Sequence, residues 1–155
     1  MRKRILPSLQ DAPIAGDWLD LESLAEVEIT SEDPAYPIES ALLADGGSGW
    51  RAADPGSQTI RLLFDPPQVL HRIWLRFRED TAERTQEYVI RWSSDGGHAF
   101  GEVVRQQWNF SPAGSTEQVE DHRVELASVD VLELEITPDR AGGGARASLQ
   151  QLRLA

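Results

Sequence analysis

The 155-residue chain contains no cysteine. This absence excludes a disulfide framework, a thiolate zinc site, an iron–sulfur cluster and a cysteine nucleophile. Lysine is almost absent as well, because Lys3 is the only one. A Schiff-base lysine or a phosphate-binding P-loop lysine is therefore disfavoured.

Positive charge is also scarce. Fifteen basic residues stand against 26 acidic residues, so the formal net charge is −11. An acidic surface repels phosphate backbones and anionic lipid headgroups, so we expect binding neither to nucleic acid nor to membranes.

Long apolar runs are missing too. No stretch approaches the ~18 apolar residues of a transmembrane helix. The N-terminus begins with basic residues but lacks the apolar core of a signal peptide. The sequence as written predicts a cytoplasmic protein, and a fragment of a secreted protein stays open as the alternative.

No catalytic motif is present in the sequence. The three histidines, His71, His98 and His122, are far apart and lack the spacing of metal ligands. Nucleophile-elbow, zinc-protease and P-loop patterns do not occur. We therefore expect a protein that is not an enzyme, with a hydrolase that uses some pair of its many carboxylates as the lesser alternative.

What the sequence does contain is a series of short segments in which apolar and polar residues alternate, which is typical of half-buried strands. Such strands with frequent turns and almost no helix predict an antiparallel β-sandwich or barrel. We expect a tail or arm over residues 1–16 and a single domain over 17–155. The predicted strands cover residues 18–21, 25–30, 58–65, 69–77, 87–94, 100–108, 117–126, 131–136 and 147–154, and one or two helical turns cover 37–43.

Two details of that prediction are specific. The first long strand should end at Pro66-Pro67, because proline cannot donate to the ladder. The next strand should turn Val69 and Ile73 inward, which leaves Arg72, Trp74 and neighbouring arginines on the solvent face. That outer stripe predicts either cross-strand Arg–Glu pairs or a contact between copies of the chain.

Four segments together resemble the discoidin-like, or coagulation factor 5/8 type C, domains. They are 41–46 with the following Trp50, 58–65 with its continuation to Ile73, 88–100, and 147–154. The resemblance implies a galactose-binding-like β-sandwich jelly roll. It further implies a domain that binds sugars, phospholipid headgroups or protein partners without catalysing a reaction.

Many members of that family hold a structural calcium ion, and the resemblance places Asp45 at the position of its aspartate ligand. Gln151 stands where the family carries a glutamate, so an uncharged amide oxygen replaces a carboxylate. The calcium is thus the one cofactor that the resemblance suggests, and it is in doubt. The resemblance also implies that Trp50 packs in the core.

Sugar recognition needs an aromatic surface together with planar polar groups. The stretch from Arg105 to Phe110 offers both, through Arg105, Gln107, Trp108, Asn109 and Phe110. Arg84 in a neighbouring polar loop and Arg51 after Trp50 are further candidates. This set predicts a carbohydrate-binding module, in which Trp108→Ala abolishes binding and the domain stays folded; the alternative is an intracellular protein-interaction or assembly module. The segment Ser93 to Phe100 resembles the Asp-box hairpin, and we interpret its Asp95 as structural.

Overall fold

The computed structural model describes residues 1–3, 17–43 and 47–155. Within this part of the chain there are eight strands and two helices of a single turn each. Neither helix is long or apolar enough to cross a membrane. The elements are α1 (Leu21–Leu24), β1 (Ala25–Ile29), α2 (Glu39–Leu42), β2 (Trp50–Pro55), β3 (Gln58–Arg78), β4 (Arg84–Ser93), β5 (Gly101–Phe110), β6 (Glu117–Thr137), β7 (Arg146–Leu149) and β8 (Gln151–Leu154).

Every strand pair is antiparallel, as the alternating sequence predicts. The main sheet has the order β1-β3-β6-β4-β5, and β8 pairs with β3. A separate ribbon joins β2 to β7. These long-range pairings connect both ends of the chain to its centre.

The long strands β3 and β6 each contribute to two layers. Their mutual register is interrupted between Leu63 and Gln68, where two prolines lie. Beyond the interruption, Phe77 of β3 stacks on Tyr88 of β4, with the ring centres 5.2 Å apart. Because β4 pairs with the second half of β6, this contact joins facing layers, and the molecule is an antiparallel β-sandwich.

The space between the layers is filled by aliphatic and aromatic side chains. Trp50 is 1% exposed, and its Nε1 donates to the carbonyl of Ser31 at 3.2 Å, which confirms its expected place in the core. Fully burying one such side chain stabilises the fold by roughly 1.5–3 kcal/mol. The largest of the other fully buried side chains are Tyr88, Phe77, Phe110, Ile60, Leu62, Leu70, Ile73, Leu75, Ile90, Ile136 and Leu149.

The predicted stop at Pro66-Pro67 is wrong, because β3 runs through both prolines. The inward orientation of Val69 is wrong as well: it is 51% exposed, whereas Leu70 is fully buried. The buried face of β3 changes between Leu70 and Ile73, which are three residues apart and both fully buried, so alternation from Ile73 back to Val69 fails. This change coincides with the register shifts against β6 between Gln68, Leu70 and Arg72.

Two predicted segments also differ from the structure. Residues 18–21 do not form a strand; Leu21–Leu24 form α1 instead. The predicted last strand is divided at Gln150 into β7 and β8, which pair with different partners. The sequence analysis missed β2, and the predicted tail over 1–16 lies outside the described residues except for 1–3.

Trp74 is not an exposed tryptophan, since only 4% of it is accessible. It does share a face with Arg72 and Arg76, as predicted. The guanidinium carbon of Arg76 lies 5.8 Å from the centre of the Trp74 ring, so this face of the strand is partly covered. The guanidinium of Arg72 lies over Trp18 at 4.6 Å and donates twice to Asp121, at 2.8 and 2.9 Å. Cross-strand ion pairs thus account for the stripe, and the proposed contact between copies loses its exposed tryptophan.

The last strand ties early segments of the chain to the sandwich. The carbonyl of Leu154 accepts a hydrogen bond from the backbone of Leu19 at 2.8 Å. The guanidinium of Arg153, which is 5% exposed, donates to the carbonyls of Ala41 at 3.0 Å and Leu43 at 2.6 Å. The C-terminal end of α2 therefore obtains its cap from a residue at the far end of the sequence.

Candidate functional site

A polar cleft lies at the end of the sandwich where β3 stops. Its volume is about 160 Å³. At the other end of this half of β3, the backbone of Arg72 pairs with Ala155, so the cleft lies away from the C-terminus. The cleft is lined by Tyr36, Ser48, Trp50, Arg51, Arg78, Glu79, Asp80, Thr81, Ser148, Leu149 and Gln150.

One wall of the cleft is a compact turn that carries Tyr36. The backbone N–H of Tyr36 donates to the carbonyl of Asp33 at 2.8 Å, and the Asp33 side chain accepts from Ala35 at 3.0 Å. Aspartate stabilises turns through such bonds to its own following backbone. Tyr36 is thereby held half-buried at the cleft.

Arg51 joins the same wall from β2. Its N–H donates to Tyr36 O at 3.2 Å, and its carbonyl accepts from Asp33 N at 2.9 Å. The guanidinium carbon lies 4.6 Å from the centre of the Tyr36 ring, a cation–π distance. Both side chains are therefore positioned by backbone bonds and by each other, and Arg51 stays exposed.

The floor of the cleft comes from the β2–β7 ribbon and the residue that follows it. Arg51 is opposite Ser148, so both side chains lie on one face of the ribbon. The Gln150 amide donates to the carbonyl of Gly47 at 3.1 Å. Gly49 has φ +78°, and a Cβ at this position would lie 2.7 Å from the carbonyl oxygen of Leu149, so only glycine permits this approach.

The opposite wall carries two acid–arginine pairs. Arg78 Nε lies 3.2 Å from Asp80, and both side chains are more than half exposed. Glu79 accepts from Arg84 Nε at 2.7 Å and from the backbone and hydroxyl of Thr81 at 3.2 and 3.1 Å. Burial raises the pKa of Glu79, but the bonds from Arg84 and Thr81 outweigh it, and the pKa lies below its ordinary value.

The cleft unites an aromatic ring, planar guanidinium groups, an amide and ionised carboxylates. These groups recognise polar ligands through hydrogen bonds and one apolar surface. A general acid needs a carboxyl with a raised pKa, whereas the pKa of Glu79 is lowered. Asp80 is paired with Arg78. None of the three histidines lines the cleft.

The predicted site residues are divided by the structure. Trp108 and Phe110 lie on the inner face of β5, where Phe110 is 1% exposed and Trp108 packs against the core. The indole Nε1 of Trp108 donates to Ser115 Oγ at 3.0 Å. These two aromatic rings support the end of the sandwich from inside.

Arg105, Gln107 and Asn109 alternate with those rings and lie on the outer face of β5. Arg105 and Gln107 donate to Glu87, and Asn109 accepts from Thr85 at 2.8 Å. Hydrogen bonds from Arg105 and Gln107 and the charge of Arg140 hold the pKa of Glu87 below its usual range. They form an exposed hydrogen-bonded surface that is not part of the cleft.

Of the residues that the sequence predicts for the site, Arg84 and Arg51 lie nearest to the cleft. Arg84 pairs with Phe110 in register, as the predicted nearness of the two stretches requires, and its guanidinium lies 4.8 Å from that ring. Only 5% of Arg84 is exposed, and it donates to Glu79, Gln86 and the carbonyl of Pro138. It therefore stands behind the cleft wall, whereas Arg51 lines the cleft itself.

Sequence reasoning missed Tyr36, Arg78 and Gln150 as candidate residues. Tyr36 carried a usable signal, because it is an aromatic residue between Pro34 and Pro37 in a turn. The other two are ordinary polar residues of a strand end and a strand break. Only the fold brings them to one place.

The calcium prediction cannot be placed on this site. Asp45 lies outside the described residues. Within the described ranges, no group of three or more histidine, aspartate and glutamate side chains could hold a metal ion. The calcium ion therefore stays a prediction.

The hairpin after β4 confirms the structural role of Asp95. Its Oδ1 accepts from Ser93 Oγ at 2.6 Å and from the N–H groups of His98 and Ala99, both at 3.0 Å. The bond from Ser93 is the main cause that holds the pKa of Asp95 below its ordinary value. The Asp-box segment is therefore a turn that is stabilised by hydrogen bonds between Asp95 and its own hairpin.

No protein-family model matches the sequence, and no curated protein is significantly similar to it. Solved structures do match. The family 32 carbohydrate-binding module of NanJ from C. perfringens, in complex with galactose, has 18% identity and a TM-score of 0.62, with 88% of this chain and 96% of that one covered. The family 32 module of AlyQ, in complex with 4,5-unsaturated mannuronic acid, has 15% identity and a TM-score of 0.63, with 90% and 98% covered.

A third match is of a different kind. Reduced XRCC1 bound to the catalytic domain of DNA polymerase β has 17% identity and a TM-score of 0.61, with 85% of this chain and 95% of that one covered. At these identities the likeness concerns the fold and not the ligand. The chain thus has the galactose-binding-like β-sandwich fold of the discoidin-like domains and the family 32 modules.

Proposed function

We propose that the protein is a non-catalytic carbohydrate-binding module whose ligand occupies the polar cleft. The observation that carries this proposal is the pairing of Tyr36 with Arg51 at the wall of an open cleft at one end of the sandwich. The apolar C–H face of a pyranose packs on an aromatic ring, and its hydroxyl pairs bond to planar polar groups. The cleft contains both kinds of group, next to Gln150 and the Arg78–Asp80 pair.

The fold supports the same function. Structures that share it include modules whose structures contain galactose and an unsaturated mannuronic acid. The acid–arginine pairs argue for binding without catalysis, since both carboxylates of the cleft form ion pairs with arginine. The open, shallow cleft would bury little of its ligand, so the affinity should be modest.

A glycan array tests this proposal. The purified protein is applied with calcium and, separately, with a chelator, which also tests the suggested calcium dependence. We expect binding to one coherent class of sugars. Tyr36→Ala should weaken that binding at least tenfold, because it removes the aromatic wall and the support of Arg51.

Phe100→Ala is the matched control. Phe100 is an exposed aromatic residue, 38% accessible, on the hairpin after β4 and not in the cleft. The Phe100→Ala variant should bind the same sugars with unchanged affinity. Thermal melts should show that this variant and Tyr36→Ala are both folded. A blank array with folded protein would contradict the proposal, as would equal losses in the two variants.

A protein-interaction module is the second candidate, and the XRCC1 structure favours it, since it has the same fold and is bound to a protein. Trp74 no longer supports a contact between copies, because it is buried. Light scattering after size-exclusion chromatography measures self-association directly. A stable dimer together with a blank array would favour this candidate over sugar binding.

A further inference from the structure

Arg51 lines the cleft, and among the described residues its guanidinium contacts the Tyr36 ring and forms no ion pair with a carboxylate. The net charge of the chain is −11, so carboxylates are abundant. Most arginines on its strands form an ion pair with one of them. Ion pairs hold Arg61, Arg72, Arg76, Arg78, Arg84, Arg91, Arg105, Arg123 and Arg140.

The position of Arg51 is nevertheless fixed. Two backbone hydrogen bonds tie it to the turn that carries Tyr36, and the Tyr36 ring lies beside its guanidinium. The cation–π contact offsets part of the conformational entropy that ordering this long side chain costs, so the guanidinium is oriented before a ligand binds. The positively charged guanidinium of Arg51 is therefore positioned at the cleft without an ion-pair partner among the described residues.

The charges of the cleft give the sign of the missing partner. Asp80 is balanced by Arg78, and Glu79 is balanced by Arg84 from behind the wall. The lining carries two arginines and two acids, and because Arg84 from behind the wall also pairs with Glu79, Arg51 is the charge of the lining that has no ion-pair partner.

We propose that the cleft selects sugars that carry a carboxylate, that is, uronic acids, with Arg51 as the partner of that carboxylate. This inference rests on the proposed function. The planar guanidinium offers two parallel N–H donors that match the two oxygens of a carboxylate. Ser148, opposite Arg51 in the ribbon, places a hydroxyl on the same face for a ring oxygen or hydroxyl of the sugar.

The cleft volume and the screening of charge by salt indicate the size of the ligand and the charge that it interacts with. The cleft volume of about 160 Å³ is well below the roughly 300–1,000 Å³ of pockets that enclose drug-sized molecules, so it accommodates about one sugar residue. The Debye length is about 8 Å at physiological salt, so the distant acids of the surface are largely screened at the cleft. A uronate residue in the cleft therefore interacts with the local charge of Arg51 and little with the net charge of the protein.

Calorimetric titration with short oligosaccharides tests this inference. The probes are oligomers of galacturonate, mannuronate and glucuronate, each compared with its methyl ester, which keeps every hydroxyl and removes the charge. We expect the acid form of at least one oligomer to bind at least tenfold more tightly than its ester. Arg51→Gln should remove that difference, and Arg51→Lys should restore part of it because it returns charge without the planar fork.

Arg146→Gln is the matched control, because Arg146 is an exposed arginine of β7 outside the cleft with the same charge. It should keep the full preference for the acid form. The comparison of acid with ester in the unmodified protein does not depend on any variant folding.

The outcomes are separable. If neutral sugars bind and no acid form is preferred over its ester, the inference is overturned and the sugar-binding function stands. A preference for sulfated sugars over uronates would also overturn it. If no sugar binds at all, both the function and the inference fail.

Discussion

The phenolic oxygen of Tyr88 lies 2.7 Å from Nε2 of His122, across the interior of the sandwich. Burial raises the pKa of the Tyr88 phenol, so the hydroxyl stays protonated and shares a hydrogen bond with the imidazole. Burial also lowers the pKa of His122, against the opposing charges of Glu120 and Asp121. A neutral imidazole is therefore part of the folded state.

The first prediction concerns pH. The pKa of His122 is lower in the folded protein than the ~6.5 of an unfolded chain. The unfolded state then binds more protons, so stability is complete above about pH 6.5 and falls as the pH drops below it. We expect a lower melting temperature at pH 5 than at pH 7.5.

His122→Gln should reduce that fall, and His98→Gln should not, because His98 is exposed on a hairpin. The lowered pKa values of Glu79, Glu87 and Asp95 put their titrations below this window. A pH dependence that is the same in both histidine variants would contradict the prediction.

The second prediction concerns the buried arginine behind the cleft. Arg84→Ala should destabilise the fold by about 3–5 kcal/mol, the usual cost of breaking a buried ion pair from one side. The substitution removes the Arg84 donor from Glu79 Oε1 and from the carbonyl of Pro138, and Glu79 keeps only its bonds from Thr81. Urea unfolding measures it.

The double variant Glu79→Gln with Arg84→Met tests the cause. It should be more stable than Arg84→Ala, because no uncompensated charge remains. Arg105→Ala, which removes an exposed pair, should change the unfolding midpoint only slightly. A double variant as unstable as the single one would show that packing, and not charge, dominates.

The third prediction separates Trp108 from Tyr36. The sequence alone predicts that Trp108→Ala abolishes sugar binding in a folded domain. The structure leads us to expect a loss of about 3 kcal/mol of stability instead, the low end for a tryptophan removed from a core, because Trp108 is half-buried. Protein that remains folded should still bind sugar, as a titration corrected for the folded fraction would show. Loss of binding without loss of stability would return the site to Trp108.

The fourth prediction uses two glycines with left-handed backbone. Gly56 has φ +87° and open space around it, so Gly56→Ala should cost about 1–2 kcal/mol from backbone strain alone. Gly49→Ala should cost clearly more, because its Cβ would meet the carbonyl oxygen of Leu149 at 2.7 Å. It should also weaken ligand binding by moving Gln150. Equal melting temperatures would show that the chain adapts without cost.

The sequence predicts the sandwich well because alternation reports directly which face of a strand is buried. It fails at Val69, where register shifts exchange the two faces of β3. It fails at Trp74 for another reason: alternation places this residue correctly opposite the core, yet it is 4% exposed, and Arg76 lies beside its ring on that face. Alternation describes one layer and contains no information about what packs on the outside of that layer.

The candidate site was only partly predictable. Arg51 follows a tryptophan that the family resemblance singles out, so it was found. The stretch from Arg105 to Phe110 has suitable chemistry, but consecutive residues of a strand point to opposite faces and cannot form one surface. Tyr36 and Gln150 meet only because β2 and β7 bring distant segments together.

Arg153 binds the carbonyl groups at the end of α2, and Leu154 accepts the hydrogen bond from Leu19. Arg153 lies 112 and 110 residues after the two carbonyl groups that it binds, so those groups are synthesised long before their partner. On the ribosome, one edge of β3 therefore stays unpaired until β8 has left the exit tunnel. An unpaired strand edge can pair with another chain, so the late synthesis of β8 leaves the nascent protein open to aggregation at this edge.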